Sequence, residues 1–382
     1  MLKGFLSPNT ARNHGIDTLR GLSILSVILL HCYIHMPFTQ DLFPQKLFNI
    51  IFRSGYYGVM IFFVISGFLI TTTSIQRWGT LQNISYCQFY QMRFARIMPC
   101  LLLLLGATSI LNILGVTGFI IHTTSLTQAI FSALTFQINW LEAKTGYLPA
   151  NWDILWSLSV EEMFYLFFPL ICLICKKPTH FMFVMLAFVI LGPLARTSFT
   201  DNEIWSDHSY LSCMDGIAIG CLAALFAHHL KLTKKMFFLV LLSGISFFTF
   251  ILIFRKQAYD IGLSKIGLNV TLLEIGTGLI LIAAQEWYKK GKRSGSFWTK
   301  PLRWFGRNSY EIYLTHSFFI IAITEVLFDV KQSNFIIGLW YALALVVSGI
   351  FGQLISSYFS EPMNKLIKKN PFVKTKMDEA IA

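Results

Sequence analysis

Residues 56–75 read YYGVMIFFVISGFLITTTSI, twenty residues without a single charge, closed at either end by Arg53 and Arg77. As an α-helix this stretch measures about 30 Å, the thickness of a bilayer's hydrocarbon core. No water is available there to bond the backbone, so a chain crosses lipid as a helix that satisfies its own N–H and C=O groups. Comparable apolar runs recur at 18–37, 97–118, 157–175, 180–195, 208–227, 236–254, 268–286, 308–328 and 335–357. The spacing predicts an all-α polytopic membrane protein of about ten transmembrane helices.

Composition agrees. The chain is 55% hydrophobic and 13% charged, where a soluble domain carries about 25% charged residues. No interval between the runs is long enough for a separate soluble domain. Residues 1–382 therefore read as a single membrane domain, with a transmembrane core at 16–357 and a basic tail at 358–382. The first apolar run has no small-residue cleavage site after it and is expected to stay as an anchor. The seven cysteines fall mostly within apolar runs, where the Cys172–Cys175 pair reads as packing.

A formal charge of +12 would suit nucleic acid, but the basic residues lie in the loops, the placement expected of a chain whose partner is membrane lipid. With the N-terminus in the cytoplasm, ten crossings put 23 of the 31 lysines and arginines on the inner side. An eleventh, weaker run at 125–141 contains Gln128, Gln137 and Asn139. If it spanned, the basic loops at 231–235 and 289–307 would move outside, so it is expected not to cross. Both termini are then cytoplasmic.

Five stretches carry chemistry. In the first helix, His31 follows Arg20 by eleven residues, about 16 Å along the axis, which places an imidazole inside the hydrocarbon. An ionisable group at that depth marks a functional site or bonds a neighbouring helix, and neutral imidazole accepts a proton as a general base does. In Trp156–Tyr165, Ser157 and Glu161 stand at i and i+4 on one helix face, while Glu162 points about 100° away. Ser66 and Gly67 permit close approach of another helix, and Ser66 becomes a nucleophile only with a base beside it. Arg93 and Arg96 form a candidate phosphate-binding mouth with Arg20, guanidinium being a bidentate phosphate ligand. Tyr310 and His316 lie in the run that opens at Ser309, with His316 near mid-depth. No metal-binding spacing and no phosphate-binding glycine loop is present, so no metal is expected.

Taken together these stretches resemble the acyltransferase-3 family of membrane acyltransferases, which includes enzymes that O-acetylate O-antigen, exopolysaccharides and related glycans. The family's Arg-x10-His matches Arg20 to His31, and its Ser-x-x-x-Glu matches Ser157 to Glu161. Its GVxxFFVLSGFLI resembles 58–70, its SYxxYLxH matches 309–316, and its RRxxRIxP resembles 92–99 with Met92 where an arginine often stands. The resemblance implies acetyl-CoA as cytoplasmic donor and a glycan as acceptor. His31 would be the catalytic histidine, Glu161 its supporting acid, and Arg20, Arg93 and Arg96 the donor-binding cations. Ser66, Ser157, Tyr310 and His316 would support them. Many relatives carry a further extracytoplasmic domain, and the expectation here is a chain that acts alone or with a separate partner. Either the histidine deprotonates the sugar hydroxyl or it carries the acyl group itself. A flippase of lipid-linked glycan, or an acyltransferase with a small-molecule acceptor, is the alternative that the residues leave open.

Overall fold

A computed structural model describes residues 12–38, 44–198, 201–291 and 295–369; the expected tail beyond residue 369 lies outside the described residues. Helices account for the fold, and no strand occurs among the described residues. The first half comprises α1 His14–His35, α2 Gln45–Phe52, α3 Gly55–Trp78, α4 Tyr86–Ile113, α5 Leu126–Leu134, α6 Ile138–Thr145, α7 Ala150–Asp153, α8 Leu155–Ile174 and α9 Pro178–Ser198. The second half comprises α10 Glu203–His208, α11 Tyr210–His229, α12 Lys234–Ile253, α13 Arg255–Asp260, α14 Leu268–Lys289, α15 Lys300–Arg307, α16 Ser309–Val326, α17 Asn334–Ile355 and α18 Glu361–Lys369.

Nine helical segments among the described residues are long and apolar enough to cross a membrane, and the chain is a multi-pass membrane protein. The expected run at 308–328 forms α16 but is not one of the nine. Its 18 residues would reach about 27 Å, yet Glu311, His316 and Glu325 make it too polar to face lipid. It packs instead against α1, α4, α7 and α17, with Ile312, Leu314 and His316 fully buried. At the other extreme α12 turns Phe238, Leu239 and Leu242 outward, as a helix does where hydrocarbon is the solvent.

The weaker run at 125–141 does not span. It breaks into α5 and α6 at Phe136, whose φ of 58° is a left-handed kink. Neither piece exceeds nine residues, about 14 Å of helix against the 30 Å a crossing needs. The basic tail expected at 358–382 begins, over its described part, as helix. A π-helical turn at Ser356–Ser360 carries the chain directly from α17 into α18, which lies along α4, where Gln91 Nε2 donates to the Ile367 carbonyl at 3.2 Å. Leu366 on this helix stays exposed.

Two devices hold the centre. Where α3 crosses α11, a Cβ on Gly67 would stand 1.9 Å from the Ile217 carbonyl oxygen, and one on Gly220 2.0 Å from that of Val64. Only glycine permits the two backbones to approach so closely. Asp215, buried in α11, receives Arg196 of α9 in a two-pronged pair of 2.5 and 3.0 Å, and Thr271 Oγ1 of α14 donates to it at 2.7 Å. Such a pair ties three helices together, and removing one partner leaves a buried charge unmatched. Asp215→Ala is expected to destabilise the protein by about 3–5 kcal/mol, read as a lowered thermal midpoint in detergent; an unchanged midpoint would count against the pair's structural role.

Candidate active site

A cavity of about 350 Å³ opens between α1, α3, α4, α8 and α16. Along α3 its lining runs from Arg77 to Val59, about 27 Å of helix. Five cations line it against a single lining carboxylate, Glu161: Arg77, Arg93, Arg96 and Lys368 gather together, and Arg20 stands deeper, level with Ser66. The sequence motifs supplied Arg20, Arg93 and Arg96. Arg77 was legible only as an inner-loop charge, and Lys368 sits on α18, far along the chain from the others, where no local pattern announces it. The Arg77 guanidinium reaches the sulfur of Met92, so Arg77 provides a cation at the place where the family pattern often has an arginine.

Each cation is positioned by packing. Arg20 donates from Nε and Nη2 to Ser309 Oγ at 3.1 and 2.7 Å, which joins the first helix to α16. Arg93 stacks over the Tyr165 ring, 4.0 Å from its centroid. Tyr310 anchors α16 to α4 by donating to the Ile97 carbonyl at 2.8 Å.

Beyond the cations lies a hydroxyl–carboxylate centre. Ser66 Oγ donates to Glu161 Oε1 at 2.5 Å, and Tyr165 OH contacts both atoms. The close crossing at Gly67 sets Ser66 in place, and the i,i+4 spacing of Glu161 and Tyr165 puts both on one face of α8. Tyr165 could have been found in the sequence from that spacing. Glu162 does not line the cavity, as its angular offset predicted. Ser66 therefore has a carboxylate within hydrogen-bond distance, a partner the sequence could not show.

This arrangement corrects the expected pairing of His31 with Glu161. Gly55 abuts Leu30, so α1 and α3 run antiparallel with Gly55 level with the His31 end. Ser66 lies eleven residues further along α3, about 16 Å away, and Glu161 is bonded to it. A shared motif order says nothing about depth in the bundle, and here the depths differ.

His31 instead meets His316, with ring centroids 5.0 Å apart in an edge-to-face arrangement. The His316 ring has a fixed tautomer. Its Nδ1 lies 2.7 Å from the Tyr313 carbonyl and 3.3 Å from that of Ile312, so Nδ1 carries the proton and donates. Nε2 keeps its lone pair, buried and without a hydrogen-bond partner among the described residues. An imidazole nitrogen held in that form has its lone pair free to accept a hydrogen bond.

Between the two centres stands Tyr313, which lines the cavity and lies 5.8 Å from the His316 ring. Its hydroxyl, the Ser157 hydroxyl and the Ile154 carbonyl form a triangle with edges of 2.7, 3.0 and 3.1 Å. Ser157 thus holds Tyr313 in place. Chemically, the cavity can take a polyanion at its cationic end and present a reactive carbon to Ser66 and Glu161, with the imidazole pair behind Tyr313.

The profile of a family described as an acyltransferase domain matches residues 13–358. A peptidoglycan O-acetyltransferase of Listeria monocytogenes is 27% identical over 386 residues, which cover 94% of this chain and 56% of that protein. An O-acetyltransferase of Staphylococcus aureus is 24% identical over 376 residues, covering 92% of this chain and 57% of that one. The chain spans about half the length of the curated relatives it matches. No solved structure matches it. The cation cluster makes a direct prediction: replacing Arg93 or Arg96 by Gln is expected to weaken binding of a pyrophosphate probe about tenfold each, the worth of a hydrogen bond to a charged group. Calorimetric titration checks this, and unchanged affinity in both variants would refute the anion site.

Proposed function

The chain belongs to the acyltransferase-3 family, and on that premise we propose that it transfers an acyl group, in the first instance acetyl, from acyl-CoA to a hydroxyl of a cell-envelope glycan. The observation that carries the reading is the cavity's polarity: four cations together at one end, Arg20 with hydroxyls and a carboxylate beyond them, and two imidazoles behind a tyrosine. Acetyl-CoA serves as donor substrate. Its phosphates are held by Arg93 and Arg96 with Arg77 and Lys368, and guanidinium suits them because it offers paired donors. Arg20, level with Ser66 and tied to Ser309, orients the arm that carries the thioester.

In this reading the protein sits in the bacterial cytoplasmic membrane with the cationic mouth toward the cytoplasm and both termini on that side, which the distribution of lysine and arginine supports. The acceptor approaches the histidine pair from the opposite side. The names of the two relatives speak of peptidoglycan in one case and of O-acetyl transfer in both. Peptidoglycan, O-antigen and exopolysaccharide hydroxyls share the chemistry required, an alcohol that must lose its proton as it attacks the acyl carbon.

The alcohol's proton goes to imidazole. His316 offers Nε2 as acceptor, and His31, packed on it, either shares the proton or takes it first. The alcohol oxygen bonds to the acyl carbon, the carbon–sulfur bond breaks, and CoA leaves as the thiol with a proton returned to sulfur. Tyr313 has to swing aside for the acyl carbon to reach the imidazoles. Breaking its two hydrogen bonds makes that motion a gate that excludes water until acceptor and donor are both in place.

Radiolabelled acetyl-CoA supplied to membrane vesicles tests the reading, with mass spectrometry of the extracted glycan as readout. His31→Ala is expected to lower transfer at least about 100-fold, the scale of general-base catalysis, while leaving CoA affinity as in the wild type. Arg93→Gln is expected to do the reverse, weakening CoA binding more than it slows the bound complex. An His31→Ala protein that transfers at the wild-type rate would overturn the assignment, and glycan transport without CoA dependence would favour a flippase.

A further inference from the structure

At the end of the bundle away from the arginines, three metal-ligating side chains converge that the proposed reaction leaves unused. One carboxylate oxygen each from Glu142 and Asp153 and one ring nitrogen of His208 lie within 4.8 Å of one another. They come from three elements packed together, α6, α7 and α10. Glu142 is fully buried and His208 nearly so. Glu142 Oε2, Asp153 Oδ1 and His208 Nδ1 have no hydrogen-bond partner among the described residues. No described lysine or arginine forms an ion pair with either carboxylate. Asn151, two residues before Asp153, is also fully buried with neither amide atom partnered.

Two carboxylates buried together without a cation are costly; these two are close enough to share one proton between them, and a divalent ion would take its place and balance both charges. The surroundings hold the would-be ligands in place as outer contacts do in metal sites. The Leu148 N–H donates to Glu142 Oε1 at 3.1 Å, leaving the other oxygen free. The His208 ring is stacked flat on Trp156, with centroids 3.9 Å apart and planes within 2°, and Asn139 Nδ2 donates to the His208 carbonyl at 3.0 Å. Ligands about 2.1 Å from a tetrahedral centre stand about 3.4 Å apart, a distance that rotation of the carboxylates can reach.

We propose that Glu142, Asp153 and His208 form a binding site for a divalent first-row transition-metal ion, zinc or manganese, with at least one coordination position left for water or an acceptor oxygen. One imidazole with two carboxylates is a ligand set that zinc and manganese accept, whereas an imidazole disfavours calcium and magnesium. The expectation that no metal binds rested on the absence of a ligand spacing in the sequence, and these ligands are spread over residues 142 to 208. The site also bears on the cavity. Asp153 is followed by Ile154, whose carbonyl receives the Tyr313 hydroxyl, so ligation at Asp153 fixes the acceptor that holds Tyr313.

The test uses the full-length chain purified in detergent, stripped with EDTA, and then titrated with zinc chloride or manganese chloride alone. Elemental analysis after gel filtration is expected to find about one ion per chain, with a raised thermal midpoint. Asp153→Asn and His208→Gln are expected to weaken binding at least about tenfold, whereas Glu274→Gln, a buried carboxyl elsewhere in the bundle, binds as the wild type does. Wild-type protein that retains neither metal after gel filtration overturns the proposal, as does unchanged affinity in Asp153→Asn. If a ligand variant does not yield monodisperse protein, the wild-type stoichiometry decides by itself.

Discussion

Inside hydrocarbon a polar group has no water to bond, so polar side chains that lie there turn inward, onto their own backbone or toward another helix. This constraint orders the interior. It turns α16 away from lipid and surrounds it with α1, α4, α7 and α17. It also brings Ser66 to Glu161, Arg20 to Ser309 and His31 to His316. The reactive groups are concentrated because lipid excludes them everywhere else.

Close packing then gives those contacts their geometry. The crossing at Gly67 and Gly220 draws α3 against α11, and Ser66, next in sequence to Gly67, faces α8 as a result. The Arg196–Asp215–Thr271 cluster fastens α9, α11 and α14 on the far side of the same crossing. In the proposed reaction a single tyrosine is the part that moves against this close-packed wall. Tyr313 is held by a hydroxyl and a carbonyl, a light restraint compared with the buried ion pair nearby.

The site is drawn out along the membrane normal. Cations, a hydroxyl–carboxylate centre, a tyrosine and an imidazole pair follow one another in that order, and the buried carboxylate–histidine cluster adjoins the tyrosine's own anchor. The proposed reaction, with an anionic donor from one face and an alcohol from the other, would use such a sequence of environments.

What the sequence determined by itself was the periodic and the local. Apolar runs of spanning length place the long helices, the distribution of lysine and arginine foretells that 125–141 does not cross, and the spacing of Ser157 with Glu161 and of Arg93 with Arg96 places each pair on a helix face. These are properties of one helix and its solvent, and they need no partner. Only the tertiary structure decided which faces meet. Depth separated Glu161 from His31 and gave it to Ser66, chain reversal brought Lys368 on α18 to arginines some 275 residues earlier, and packing of α6, α7 and α10 gathered Glu142, Asp153 and His208. Helix order in the chain does not specify which helices become neighbours in the bundle, and contacts between distant segments arise from that choice alone.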